Sequence, residues 1–208
     1  MQPLLPKPVF QDRIEGVWIG LFNLDDLSQD SLIDIQLTHP ENNEALLLKT
    51  PQQQERFIKR KKLLKLLLAD YAGVHPNTLL IEKTPHGKPY LAKPERTLQF
   101  STSHSYNMFL VGIGPQSLGV DIEKQDASID YTAIAQQFFT ENECQLIKTS
   151  VDPVASFYIL WTQKEALLKL VGEPLSKGFI ENQMATCFHI PIPSHHLSLP
   201  YVAALALS

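Results

Sequence analysis

Cysteine is scarce in this 208-residue sequence, with Cys144 and Cys187 its only two. They show no metal-ligand spacing, so neither a disulfide framework nor a zinc site is expected, and two reduced thiols suit a cytoplasmic protein. Long apolar runs are missing too: no stretch approaches the roughly 18 apolar residues of a membrane span. The opening Met1-Gln2-Pro3-Leu4-Leu5-Pro6-Lys7-Pro8 has too many prolines and too short an apolar run for a signal peptide. An excess of one charge is also lacking. Eighteen Lys and Arg stand against 22 Asp and Glu, a formal net charge of −4, which offers no global attraction to nucleic acid or an anionic membrane. Any anion site must therefore come from local clustering of basic residues. Short repeats and low-complexity tracts are absent as well.

What remains is a globular composition, 44% hydrophobic and 19% charged, long enough for one large domain or two small ones. A β-like run, Val17 to Phe22, ends at the turn-prone Asn23-Leu24-Asp25-Asp26. A helical pattern runs from about Gln52 to Ala72 and stops at Gly73, with Pro76 beyond. Leu79-Leu80-Ile81 is a strand candidate before the loop Thr84-Pro85-His86-Gly87-Lys88-Pro89, and Leu98-Gln99-Phe100 leads into the polar run Ser101 to Ser105. The order of elements then begins again. Met108–Ile113 and Leu118–Ile122 read as paired strands joined by a turn at Gly114-Pro115, followed by helices near Asp130–Phe139, Glu141–Thr149 and Pro153–Leu170. Short strands near Thr186–Ile190 and Tyr201–Leu207 close the chain. The mixture predicts an α+β fold in two similar-sized lobes, divided near Gly114-Pro115 into residues 1–115 and 116–208.

Four constellations could carry chemistry. On a strand, Asp121 and Glu123 project from one face with Ile122 opposite. Two such carboxylates repel unless a cation neutralises them or one takes a proton. Hard oxygen ligands suit Mg²⁺ when a phosphate completes its shell, although a solvated strand end with Lys124 as ion-pair partner gives the same pattern. Second, Phe157–Leu170 is an almost wholly apolar helix that nevertheless holds Lys164, Glu165 and Lys169, costly to bury unpaired. Trp161, Glu165 and Lys169 share a face at i, i+4 and i+8. Glu165 and Lys169 fit either an ordinary helix pair or a carboxylate meeting a metal beside an ammonium meeting phosphate.

Third, Ser103-His104-Ser105 offers hydroxyls and an imidazole for phosphate oxygens, with a turn serine beside a solvated histidine as the plainer alternative. Neighbours on a strand point apart and no G-x-S-x-G elbow surrounds either serine, so a hydrolase triad is not expected. Fourth, Arg56, Lys59, Arg60, Lys61, Lys62 and Lys65 face only Glu55. The helical wheel puts Phe57, Leu64, Leu68 and Tyr71 on the core stripe, Lys61 and Lys65 at its edge, and Lys59 and Lys62 toward water. Gly87-Lys88-Pro89 presents one more cation on a rigid turn.

Taken in order, Phe100-Ser101-Thr102-Ser103-His104-Ser105, Gly119-Val120-Asp121-Ile122-Glu123-Lys124, Phe138-Phe139-Thr140-Glu141-Asn142-Glu143 and Trp161 through Lys169 resemble Sfp-type 4′-phosphopantetheinyl transferases. Gly87-Lys88-Pro89 sits where that family has its Gly-Lys-Pro turn, and the resemblance runs from about Arg56 to Gly178. A D-x-E pattern is unspecific alone; followed some forty residues on by W-x-x-K-E-x-x-x-K, it is specific. The resemblance implies two α+β lobes related by a pseudo-two-fold, with coenzyme A bound between them and its nucleotide on the N-terminal side. It implies a monomer that transfers 4′-phosphopantetheine from coenzyme A to a serine of an apo acyl or peptidyl carrier protein, releasing 3′,5′-ADP, without nucleic acid or membrane as partner.

By the same resemblance Asp121, Glu123 and Glu165 would hold Mg²⁺. His104 and Lys169 would contact the diphosphate, Ser103 would shape that end of the pocket, and Lys61 and Lys88 would meet the 3′-phosphate. Glu165 or a metal-bound water would take the serine proton, Trp161 would pack, and Glu143 would pair with Lys164. Ser101 departs from the family's usual Asn. Lys61 replaces the commoner Arg and lacks its bidentate fork. A metal-dependent hydrolase of a nucleotide diphosphate, or a non-catalytic protein binding coenzyme A or a carrier, would use the same residues.

Overall fold

Alternation along three strands sets the layers of the structure. In β2 (Val17–Asn23), Val17, Ile19 and Leu21 point to one face while Trp18 and Phe22 point to the other. In β6 (Met108–Gly114), Met108 and Leu110 join the first set and Phe109, Val111 and Ile113 the second. In β7 (Leu118–Lys124), Leu118, Val120 and Ile122 again meet the first set, which leaves Gly119, Asp121 and Glu123 on the opposite face. The computed structural model describes residues 5–28, 32–95, 97–173, 185–193 and 200–208, so the C-terminal limit of the resemblance, Gly178, lies outside the described residues, as does Met1–Leu4.

The first antiparallel sheet has the order β1-β2-β6-β5, with β1 at Phe10–Ile14 and β5 at Gln99–Ser105. The second, β7-β9-β8, adds β8 (Thr186–His189) and β9 (Tyr201–Leu207). A separate hairpin joins β3 (Leu80–Lys83) to β4 (Pro89–Lys93). A core of aliphatic side chains from β2, β6, β7 and β9 lies between the sheets. The outer face of the first sheet is covered by α2 (Pro51–Ala72), which brings Leu63, Leu64, Leu67 and Leu68 onto Phe22, Phe100 and Phe109. α5 (Pro153–Val171) covers the second, through Ala166 and Leu170 against Ala204 and Ala206. The helices α1 (His39–Leu46), α3 (Tyr131–Phe138) and α4 (Glu141–Thr149) lie around these layers. Thr50 and Thr140 each close a capping box, with Gln53 and Glu143 respectively, and Asp152 caps α5. The mixed content is α+β.

One expected pairing is corrected. β6 and β7 do not form a hairpin: β6 bonds to β2 and β5, and β7 bonds to β9 from Leu118↔Leu207 to Lys124↔Tyr201. Gly112 explains the arrangement. A Cβ there would lie 2.6 Å from Leu118 Cδ1 and 2.9 Å from Val120 Cγ1, so β7 lays its side chains across β6 instead of adding to its edge. Further expectations fail on α2, among them Lys62, expected toward water, which is half-buried and donates to the Leu32 carbonyl at 3.1 Å. Lys59 is buried, its ammonium 2.9 Å from Glu55, because its aliphatic stem is covered where water was expected. Tyr71 is 40% exposed and rests on Trp18 instead of joining the core. β1, α1 and β4 were not anticipated. α1 buries only Ala45, so its pattern lacks an apolar face, although Thr38-x-x-Glu41 is a capping-box signal.

Two tight hairpins require backbone at positive φ. Between β1 and β2 the turn residues Glu15 and Gly16 have φ of 47° and 81°; between β5 and β6, Tyr106 has φ of 54°. For a tyrosine this conformation costs about 1–2 kcal/mol.

The face of β7 opposite the core meets α5 at Gly119. A Cβ there would stand 2.0 Å from the Ala166 carbonyl oxygen and 2.5 Å from the Leu170 nitrogen, both backbone atoms that cannot swing aside. Gly119→Ala is expected to lower stability by about 3 kcal/mol, read as a reduced urea midpoint with an unchanged slope. It would also lift α5, and with it Glu165 and Lys169, off Asp121.

Candidate active site

Three serines on one face of β5 join the two sheets. The Ser101 hydroxyl accepts from the Val120 N–H at 3.0 Å, and the Ser105 hydroxyl accepts from the Lys124 N–H at 3.1 Å. Ser103 donates to Asp121 Oδ1 at 2.7 Å, and Ser105 also donates to Glu123 Oε2 at 2.8 Å. The partners rise together in number, so β5 and β7 run side by side in the same direction. Their edges are joined by hydroxyls where a sheet would have a backbone ladder. All three serines are buried, with no bulk beyond Cβ and one hydroxyl each, which allows the two strand edges to approach.

α5 supplies the rest. Lys169 donates to Asp121 Oδ1 at 2.7 Å and to the Ser103 hydroxyl at 2.8 Å. The Asp121 side chain is 3% exposed and that of Lys169 is 31%, so the pair is buried on the acid's side and open on the ammonium's. Asp121 Oδ2 is buried and has no hydrogen-bond partner among the described residues. Burial and the charge of Asp121 push the Glu123 carboxyl up to about 7, against the pull of Ser105 and Lys169. The same two causes raise Glu165, one helical turn before Lys169. Asp121 and Glu123 share a face of β7, as strand alternation predicted, and Glu165 on α5 is near enough for its charge to act on Glu123.

Two cavities lie along β5. The first, about 240 Å³, opens beside Phe100–Thr102 and is also lined by Lys88 and Lys169. The second, about 500 Å³, opens beside His104–Tyr106 and is lined on its other side by Arg56, Phe57 and Arg60 of α2. His104 points away from Ser103, toward α2. Partial burial, then Arg60, then Lys169 lower its imidazole to about 4. Water still reaches the ring and screens these charges, so the effect on stability is small.

Lys88 donates to the Leu170 carbonyl at 2.6 Å and the Leu118 carbonyl at 3.4 Å, tying the β3–β4 hairpin to the end of α5 and the start of β7. Lys61 stands apart from its expected place: its ammonium lies 3.8 Å from Glu44 and over the Phe57 ring, and it lines neither cavity. Arg60 faces His104 in its stead. Sequence reasoning missed Arg60, since in a run of six cations only the helix rotation separates it from Lys61. Burial lowers the Arg60, Lys61 and Lys88 groups from their ordinary values. Lys65, expected at a cleft edge, is internal and paired with Glu41 at 2.8 Å.

An aromatic cluster fixes the helix that carries Glu165 and Lys169. Trp161 stacks on Phe157 and meets Phe138 edge-on, and Lys164 pairs with Glu143 at 2.9 Å. Glu143 therefore caps α4 and anchors α5 with one carboxylate. These are packing and anchoring roles, away from the carboxylates.

The donor set fits a hard divalent cation. Three carboxylates share one ammonium, two of them are held above their usual range, and a buried oxygen of the third lacks a partner among the described residues. As the side chains stand, no three His, Cys, Asp or Glu among the described residues are gathered into a metal shell. Lys169 occupies one oxygen of Asp121, and Ser105 one of Glu123.

This geometry can be set against known proteins. Residues 117–202 match the family model of the 4′-phosphopantetheinyl transferase superfamily. The matched segment holds Asp121, Glu123, Glu165 and Lys169 together with β7 and α5; the β5 serines, His104 and Lys88 lie before it. The chain is 31% identical over 132 residues to the 4′-phosphopantetheinyl transferase HetI of Nostoc, covering 61% of this chain and 56% of that protein. It is 31% identical over 134 residues to the 4′-phosphopantetheinyl transferase gsp of Aneurinibacillus migulanus, covering 61% and 54%. Against the 4′-phosphopantetheinyl transferase Sfp of Bacillus subtilis it is 28% identical over 160 residues, covering 69% of each. The chain spans about half the length of the first two relatives. The match and the relatives support the phosphopantetheinyl transferase family, with Sfp-type likeness at the lower identity.

The Glu123 carboxyl gives a test of the cation fit. A folded-state value of about 7 against an ordinary 4.5 means that the folded protein binds the proton more tightly. The stability from that protonated carboxyl is full below pH 4.5 and lost as pH rises through 7. In chelator, Glu123→Gln should therefore gain stability relative to the parent between pH 5 and pH 8, followed by urea midpoints. Added Mg²⁺ should raise the parent's midpoint at pH 8 and leave the variant's nearly unmoved; equal responses of the two would count against the carboxylates as a cation site.

Proposed function

We propose that the whole chain is a 4′-phosphopantetheinyl transferase of the Sfp type, acting as a monomer in the cytoplasm. It would move 4′-phosphopantetheine from coenzyme A to a serine of an apo acyl or peptidyl carrier protein and release 3′,5′-ADP. The observation that carries the reading is the junction where Ser103, Asp121 and Lys169 meet, with Glu123 and Glu165 beside it and a cation-lined cavity on either side. Residues 1–115 would form one lobe and 116–208 the other, related by a pseudo-two-fold. In support, the first sheet uses only strands up to Gly114 and the second only strands from Leu118.

Asp121, Glu123 and Glu165 would hold Mg²⁺, which supplies charge neutralisation at the diphosphate when bound. Lys169, open on its cavity side, and His104 bind the diphosphate oxygens, and Ser103 keeps Asp121 and Lys169 in register. Lys88 holds the nucleotide end, with Arg60 joining His104, while Lys61, beside Glu44, lines neither cavity. The carrier's seryl oxygen attacks the phosphorus that bears the pantetheine arm. The bond from that phosphorus to the bridging oxygen breaks, and 3′,5′-ADP leaves with the bridging oxygen. Glu165 accepts the seryl proton; α5 sets it on the same face as Lys169, one turn away.

Incubation with coenzyme A, Mg²⁺ and a set of apo carriers, followed by intact mass, should show one phosphopantetheine added to at least one carrier. No addition to any carrier overturns the reading, and release of phosphopantetheine without a carrier would instead identify a hydrolase. Glu165→Gln should lower turnover at least about 100-fold; near-normal turnover at saturating Mg²⁺ removes Glu165 from both of its roles.

His104 supplies a second readout, independent of turnover. Its imidazole, near 4 in the free protein, should titrate higher once coenzyme A brings phosphate beside it, so that binding takes up a proton in the interval between the two values. Histidine resonances followed through a pH series with and without coenzyme A check this. An unmoved His104 would place the phosphates elsewhere.

A further inference from the structure

The β5–β6 turn places a tyrosine where glycine fits better. Ser105 pairs with Met108 across the turn, so Tyr106 and Asn107 are its two central residues. Tyr106 takes the first of these positions at φ 54°, backbone that in two-residue hairpins belongs to Gly or Asn. The fold gains little from the ring, which is 57% exposed and belongs to none of the buried clusters. Backbone held against its preference marks a functional position when the surroundings give the side chain something to do.

Three observations say what that is. One side of the ring is held by Lys124, whose ammonium lies 4.2 Å from the ring centroid. The ring also lines the larger cavity, together with His104, Phe57 and Arg60. And its neighbour Ser105 bonds to Glu123, so the ring stands at the carboxylate end of the site. β5 lies between the two ends of a ligand like a ruler. The Lys88 cavity opens beside Phe100–Thr102 and the Tyr106 cavity beside His104–Tyr106, with about 13 Å of extended strand from Ser101 to Ser105.

We propose that Tyr106 is the surface on which the pantetheine arm of coenzyme A packs. The inference rests on the transferase reading above. With the nucleotide held at the Lys88 end and the diphosphate at Lys169 and His104, the arm hangs from the phosphate nearest the carboxylates. It must leave the protein past Ser105, where Tyr106 offers an exposed apolar face. The arm's methyl and amide groups pack against the ring, and Lys124 keeps the ring from turning away. The side chain thus sets the direction in which the arm departs, and keeps it clear of the approach to the phosphorus.

Calorimetric titration of the full chain separates the arm from the nucleotide by comparing coenzyme A with 3′,5′-ADP, which has no arm. Tyr106→Gly should weaken coenzyme A about fivefold and leave 3′,5′-ADP within twofold. Tyr106→Phe, which keeps the ring, should bind both within twofold of the parent. The urea midpoint of Tyr106→Gly should rise, which excludes unfolding as the cause of weaker binding. An unchanged coenzyme A affinity, or an equal loss for both ligands, overturns the proposal; a falling midpoint overturns the premise that the ring is held against its backbone. A parent protein that binds neither ligand would overturn the transferase reading itself.

Discussion

The hydroxyl of Ser103 is the point on which the site depends. It donates a hydrogen bond to Asp121 and accepts one from Lys169, so a strand of the first sheet, a strand of the second and a helix are fixed to each other at one oxygen. Ser101 and Ser105 repeat the contact one residue pair before and after, which sets the register of β5 against β7. A backbone ladder at this seam would have brought the strands together equally well, yet it would have left no side chain there to hold a carboxylate. The hydroxyl seam joins the sheets and orients Asp121 and Glu123 in the same contacts.

Two absences of side chain complete that arrangement. Gly112 lets Leu118 and Val120 sink onto β6, which turns Asp121 and Glu123 toward α5. Gly119 lets the backbone of α5 approach close enough for Lys169 to reach Asp121. At the other end of α5, the stack of Phe139, Phe157 and Trp161 and the Glu143–Lys164 pair fix the helix's rotation. A turn of one residue about its axis would carry the face that Glu165 and Lys169 share away from Asp121.

Much of this is legible in one dimension because it follows short periods. Strand alternation puts Asp121 and Glu123 together, and helical spacing does the same for Glu165 and Lys169; both rules act within a few residues. The partner of β7 could not be read that way, since β9 lies some eighty residues on and the Gly114-Pro115 turn imitates a hairpin. The basic run of α2 misled for another reason. Its cations are sorted by what α1 and the preceding loop present to them: Asp25 takes Arg56, Glu41 takes Lys65, Glu44 takes Lys61. None of those acids is local to its partner, so the residue left facing His104, Arg60, could not be told from its neighbours by charge alone.

That sorting bears on the electrostatics of the site. Three carboxylates face one ammonium on the β7 side, while His104 and Arg60 stand toward α2 and Lys88 stands at the start of β7, all three with burial working against their charge. Each half is unfavourable alone: the acids are pushed up, the bases down. Lys169 satisfies a single oxygen of Asp121, while Oδ2 has no hydrogen-bond partner among the described residues. A strained arrangement of this kind persists because the sheets and α5 are fixed by apolar packing that does not depend on it. What would relax both halves at once is a ligand that carries a cation on one side and phosphates on the other. A metal complex of a diphosphate, the ligand proposed above, has both.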